Sequence, residues 1–381
     1  MSGLRPFALE RFFSTWEFKA RHHLTASDAE SITIGELLTL ANLPPDALND
    51  LHLGYTETWG APDLREAIAA TYETITAQNV LCFAGAEEGV YAAMRTLLSA
   101  NDHAIVVTPN YQAAETVPLD ICDVTGVALD ENEHWRLDPD AVRHAVRPNT
   151  RLVSVCFPNN PTGAIPHHND FNALIDVCRE HGLWLFSDEV YRGLELNLAK
   201  QIPHAADAYE RGLSLNVMSK SYGLPGLRIG WIACRDRAAL TNMERYKHYL
   251  SICNSAPSER LAVIALGVRD ALQSRIHTLM RENLTRLDAF FSHHADLFDW
   301  RHPDGGCIAF PRYLGADGVE VFCDQLVNDA GVLLLPASIY RSELMPTPTD
   351  RFRIGFGRAG LEAGLNAFDR FIDKRKKHNS G

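Results

Sequence analysis

VMSKSYGLPGLRIGW, residues 217–231, decides how the rest of the chain is read. Lys220 and Arg228 stand eight apart across a loop punctuated by Gly223, Pro225 and Gly226. A lysine amine condenses with an aldehyde once deprotonated, which desolvation or a nearby cation brings about. Arginine supplies a permanent fork-shaped cation suited to phosphate, and Ser219 offers a hydroxyl donor. Taken alone, the segment is also compatible with a strand ending in a solvated lysine and an ion-paired arginine.

β-Rich runs alternate with helical patterns over about residues 85–233. AIVVT (104–108), RLVSVCF (151–157), LWLFS (183–187), LSLNVM (213–218) and IGWIA (229–233) read as buried strands. NALIDVCREHG (172–182) reads as an amphipathic helix stopped by glycine. That alternation predicts a largely parallel sheet covered on both faces, with ligands beyond the carboxyl ends of the strands.

Other candidate residues fall at those ends. In FPNNPTG (157–163), Asn160 offers an amide from a Pro-flanked turn; in FSDEVYRGL (186–194), Asp188 closes a strand and Tyr191 follows three residues on. A buried carboxylate needs an ionic or hydrogen-bonding partner, and a protonated pyridine nitrogen or an arginine would serve. Singly, each is as readily a turn residue or a structural ion-pair member. In FAGAEEGVYAAM (83–94), Gly85 permits a tight turn, and the amides of Ala86 and Glu87 open a helix N-terminus able to hold an anion. Tyr111, in TPNYQAAE (108–115), is placed to stack on a flat ring or to be a loop aromatic. Arg353, in RFRIGFGR (351–358), faces inward from a strand-like run and needs a carboxylate, from substrate or from protein.

The chain has 381 residues and a formal net charge of −12, which argues against a nucleic-acid partner. The eight cysteines form no C-x-x-C pair, fitting a reducing, cytoplasmic compartment. No metal-ligating set is assigned. The opening MSGLRPFALERFF lacks the apolar core of a signal peptide, and no apolar stretch reaches the roughly 18 residues needed to span a membrane. Long charged helical patterns at 260–291 and 361–374 flank the strand candidates IAFPR and GVLLLP, predicting a smaller α+β domain against which the first 45 residues pack. The expected division is a large domain over 46–275 and a small one over 1–45 and 276–381.

Together these motifs, in their order, resemble the class I/II aminotransferases, enzymes of fold type I that use pyridoxal 5′-phosphate (PLP). The resemblance covers nearly the whole chain. It implies a mostly parallel seven-stranded sheet between helices, with Lys220 as the Schiff-base lysine and proton shuttle. It implies that Asp188 keeps the pyridine nitrogen protonated, that Asn160 and Tyr191 hydrogen-bond the ring oxygen, and that Tyr111 stacks on the ring. Gly85, Ala86, Glu87, Ser219 and Arg228 would form the phosphate cup, and Arg353 would grip the substrate α-carboxylate. Many relatives carry Ser or Thr where Val217 stands, so one phosphate ligand is missing. LGYTETWGAPDLREAIA (53–69) matches the segment whose tyrosine, here Tyr55, reaches a neighbouring subunit's phosphate site, which implies a homodimer. Transamination between an amino acid and a keto acid is the activity implied first. The N-terminal stretch 8–38 also resembles a subgroup including capreomycidine synthase, in which related early chemistry ends in elimination and ring closure on a guanidino group; Glu10 and Asp28 would then bind a cationic side chain. Ser27 and Asp28 read equally as helix caps. A PLP-binding transcription regulator is a remote alternative, since no basic helix-turn-helix precedes the motifs.

Overall fold

The computed structural model describes residues 4–379. Its centre is a seven-stranded sheet: β1 (Val80–Phe83), β2 (His103–Thr108), β3 (Asp123–Ala128), β4 (Thr150–Cys156), β5 (Trp184–Asp188), β6 (Gly212–Val217) and β7 (Gly230–Cys234). The order across the sheet is β1-β7-β6-β5-β4-β2-β3. All five expected runs are strands of it. β2 to β6 pair in parallel, while β7 runs antiparallel to both β1 and β6. The interior strands are apolar and buried nearly throughout, and the edge strand β3 is half exposed, as helices on both faces require.

This topology gathers the site. The carboxyl ends of β1, β2, β4, β5 and β6 lie along one edge, delivering Gly85, Tyr111, Asn160, Asp188 and Lys220. Because β7 alone runs the other way, its amino end reaches the same edge with Arg228 just before it. The loop from Met218 to Ile229 is therefore a hairpin-like return that brings its lysine and its arginine to one place.

Two glycines make the approach close. Gly85 has φ +102 and a Cβ there would fall 2.3 Å from Arg228 Nη2; a Cβ on Gly230 would fall 2.7 Å from the Gly85 carbonyl carbon and 2.8 Å from the Ala86 nitrogen. The helix Ala86–Leu97 thus begins directly over the start of β7. The helix expected at 172–182 spans His168–His181 and ends on Gly182 in the left-handed conformation.

Three local expectations need correction. The charged pattern at 260–291 is two helices, Ala256–Gly267 and Arg269–His293, broken at Val268 with φ −120 and ψ 23. IAFPR divides into the short strands Ile308–Ala309 and Arg312–Tyr313, because Pro311 has no N–H for a ladder. The helix cap lies at Thr33, not at Ser27 or Asp28: the Glu36 amide donates to Thr33 Oγ1 (3.2 Å) and the Thr33 amide to Glu36 Oε2 (2.7 Å), opening the helix Ile34–Leu40.

The N-terminal segment joins the C-terminal part through the two-residue strand His22–His23, which pairs in parallel with Val332–Leu333. The strand Phe352–Gly355, carrying Arg353, lies between Ile308–Ala309 and Leu335–Pro336. The helix Ala8–Trp16 is held at its start by Gln112, whose side chain accepts from the Ala8 amide (2.8 Å) and donates to the Pro6 carbonyl (3.0 Å). Among the described residues no helix is long and apolar enough to cross a membrane.

The close approach of β7 to the Gly85 turn gives a stability test. Gly230→Ala forces backbone apart and is expected to cost about 1–3 kcal/mol. Gly226→Ala, with nothing within 4 Å of the new Cβ, should be near neutral. Urea unfolding compares them, and equal midpoints would show that the turn yields freely.

Candidate active site

A cavity of about 350 Å³ opens at the strand edge, within the range of small-ligand sites. Lys220 lines it, its Nζ donating to Ser27 Oγ (2.9 Å). Burial holds this amine below its ordinary value, with Asp28 and Asp188 opposing the shift and Arg353 reinforcing it. A desolvated amine loses its proton more readily, which imine chemistry needs.

Asp188 lines the same cavity from the end of β5. Its Oδ1 accepts from the Val190 amide at 3.1 Å. Burial raises its pKa to about 6, against the pull of the Val190 amide and of Lys220. The next residue is handled differently. Glu189 points to the opposite face of the strand, as alternation requires. There it pairs with His204 and accepts from the Ala205 amide (2.9 Å) and Ser214 Oγ (2.8 Å). Burial works against ionisation there too, yet His204 and these donors bring Glu189 below the usual carboxylate range. One of two adjacent carboxylates is satisfied by protein and the other is left facing a cavity.

Further unmet groups surround Asp188. The Tyr191 hydroxyl is buried with no partner among the described residues. Asn160 Oδ1 accepts from Tyr340 Oη (2.8 Å) and Arg353 Nη1 (3.3 Å). Since a guanidinium only donates, the amide oxygen is fixed toward it and Nδ2 remains as a donor. Across the cavity, the Arg228 guanidinium lies against Gly85 at the N-terminus of the helix Ala86–Leu97. Cation and free amides together make an anion site, with Ser219 in the adjoining wall. Val217 also lines the cavity and brings no hydroxyl. Glu87 sits at this end, where loss of solvation pushes its carboxyl to about 7, Asp188 and Glu10 adding to the rise and Arg228 opposing it.

These needs fit PLP: a basic ring nitrogen for Asp188, a ring oxygen for Tyr191 and Asn160, a phosphate for Arg228 and the helix amides, and an aldehyde for Lys220. Tyr111 lines the cavity, its hydroxyl 3.4 Å from Glu10 Oε1 and its ring 5.3 Å from that of Phe7.

Two expected residues stand elsewhere. Arg353 is fully buried and does not form the cavity wall. Its Nη2 donates to the Thr25 carbonyl (2.7 Å), and its Nη1 to Tyr340 Oη (2.6 Å) and Asn160. Tyr55 is 94% exposed and outside its own chain's cavity. Asp28 is in the wall but is engaged by Arg358 Nη2 at 2.7 Å.

Sequence reasoning missed Phe13, Glu17, His23, Ser27 and Arg358, all of which line the cavity. The first two carried a signal: Glu10, Phe13 and Glu17 are spaced by three and four, one face of a helix. His23 carried none, because nothing in RHHLTASD says which histidine faces inward. Burial and then Arg358 lower its pKa to about 4, so its ring is neutral, and its Nδ1 has no partner among the described residues.

The raised pKa of Asp188 sets a pH dependence. The folded value of about 6 exceeds the ordinary 3.8, so the cofactor-free fold binds the extra proton between them. The cost of the charge is absent below 3.8, grows as pH rises to about 6 and persists above, on the order of 3 kcal/mol. Asp188→Asn should therefore stabilise the cofactor-free protein at pH 8 and leave it unchanged at pH 4, in urea unfolding. Equal effects at both pH values would mean the carboxylate is not penalised.

The family model "Aminotransferase class I and II" matches residues 41–367. The chain is 30% identical over 371 residues to capreomycidine synthase of Streptomyces vinaceus, covering 94% of this chain and 92% of that one. It superposes on a PLP-dependent aminotransferase from Streptococcus suis with a TM-score of 0.91 at 26% identity, covering 97% and 98% of the two chains. Against the PLP-dependent cyclase OrfR the TM-score is 0.88, with the same identity and coverage. The chain belongs to the class I and II aminotransferase family of fold type I, and its cofactor is pyridoxal 5′-phosphate.

Proposed function

We propose that the protein abstracts the α-proton of an amino acid with a guanidinium-type side chain and a β-hydroxyl, that the hydroxyl leaves as water, and that a guanidino nitrogen then bonds to Cβ, giving up its proton, to close a ring. The observation that carries the substrate class is the acidic mouth. Glu10 and Glu17 face the cavity from one helix side and make no ion pair with the described residues. A neutral His23 beside them offers a ring nitrogen to an N–H donor. Arg358 neutralises Asp28, so the excess negative charge lies with Glu10 and Glu17.

The bound cofactor supplies an electron sink for negative charge at the substrate Cα. The chain's own residues do the rest. Asp188 holds a proton on the ring nitrogen, and Asn160 Nδ2 and Tyr191 donate to the ring oxygen. Arg228, Ser219 and the Ala86 and Glu87 amides would hold the phosphate, and Tyr111 would pack on the ring. Lys220 would hold the group through its amine, and the same Nζ, when free, would take the Cα proton. Arg353 receives the α-carboxylate by exchanging a bond to Tyr340 or Thr25. Tyr55 completes the phosphate site of a second copy, so the working unit is a homodimer.

The ending is supported by likeness to a synthase and a cyclase at near-full coverage. Aminotransfer, implied first by the sequence motifs, is the second reading, favoured by the TM-score of 0.91 to an aminotransferase. Incubation with arginine, hydroxyarginines and common amino acids separates the two. A cyclic product without net amino transfer is expected; a keto acid whose repeated formation requires a second keto acid would establish aminotransfer instead. Glu10→Gln and Glu17→Gln should each raise KM for the guanidino substrate about tenfold, near 1.4 kcal/mol, with kcat little changed; an unaltered KM in both would remove the acidic mouth from recognition. Lys220→Ala should abolish the visible Schiff-base absorption of the holoenzyme, and a retained band would sink the lysine assignment.

A further inference from the structure

On the other side of the strand His22–His23 from the catalytic cavity lies a second cleft, of about 660 Å³. It is bounded by Arg21 and His22, by the π-helix Leu326–Ala330 and by the helix Leu361–Asn379. Its lining carries four cations, from Arg21, Arg370, Lys374 and Arg375, against the single carboxylate of Asp329. Arg375 is balanced by Asp317 at 2.8 Å. The side chains of Arg21 and Arg370 have no hydrogen-bond or ion-pair partner among the described residues, although the chain as a whole carries a net charge of −12.

Arg21 passes close over the backbone at Gly331. Gly331 has φ +71, and a Cβ there would fall 2.5 Å from Arg21 Nε, so only glycine lets the guanidinium lie across that turn. Two fork-shaped donors facing one concavity without a counter-ion match the geometry of a phosphate or carboxylate group. Strand alternation turns His22 to this cleft and His23 to the catalytic cavity. A ligand that fixes Arg21 and His22 is therefore one residue from the active-site wall.

We propose that this cleft is a binding site for a compact multivalent anion, phosphate-bearing or polycarboxylate, held between Arg21 and Arg370. It is separate from the Arg228 site and does not depend on the reaction assigned above. The test uses holoenzyme, whose cofactor already fills the Arg228 site. Inorganic phosphate, pyrophosphate and citrate are titrated by calorimetry against chloride at matched ionic strength, with the His22 ring resonances followed by NMR. Saturable binding that shifts His22 is expected, weakened at least tenfold by Arg21→Ala or Arg370→Ala and unchanged by the surface variant Arg143→Ala. Saturation by pyrophosphate alone assigns the site to phosphate chemistry, and by citrate alone to carboxylate chemistry. No saturation by any of the three, or equal binding by an Arg21→Ala/Arg370→Ala variant of unchanged melting temperature, would overturn the site.

Discussion

The charge of Asp188, half-buried at the end of a strand with the Val190 amide donating to it, is the constraint around which the site is arranged. A carboxylate in that position is unfavourable unless a cation comes to it, and the one the chain brings near, Lys220, offsets burial only in part. Lys220 is near, yet its amine is desolvated and donates to Ser27. Glu189, the adjacent acid, takes the locally available histidine. The fold thus leaves a partly offset carboxylate facing a cavity, where a cationic group of a ligand would relieve its cost.

The same economy of placement appears at the phosphate end. Reversing a single strand brings Arg228 to an edge where every other contribution arrives from a strand's carboxyl end. The bare glycines at 85 and 230 then let the guanidinium and the helix amides share one small volume. A parallel β7 would have carried Arg228 to the far edge, about a strand's length away. The spacing of eight residues between Lys220 and Arg228 therefore reports topology as much as chemistry.

Much of this was legible in the sequence because the signals were local. Five of the seven sheet strands stood out as mostly apolar, β-rich runs, and Lys220, Asp188, Asn160, Tyr191 and Arg228 each sat at a strand end with turn residues nearby. What the sequence concealed were relations between distant segments. Arg353 is closed off by Thr25 and Tyr340, and Asp28 is claimed by Arg358; each of these pairings except Arg353–Tyr340 spans more than three hundred residues. His23 and Ser27 reach the cavity only because residues 22 and 23 form a short strand against Val332 and Leu333, a pairing too brief to leave a periodicity. The break at Val268 was hidden because the helical pattern continues through it in phase.

The helix Ala8–Trp16 lies outside the sheets and is tethered at its start by one glutamine side chain and by the Phe7 and Tyr111 rings. It nevertheless lines the cavity with Leu9, Glu10 and Phe13. If substrate selection rests on this helix as proposed, reactivity and selectivity are carried by different pieces of polypeptide. A few substitutions along one exposed amphipathic turn can retune which molecule is admitted while leaving the machinery beneath untouched, an arrangement that lets a single scaffold diversify without relearning its chemistry.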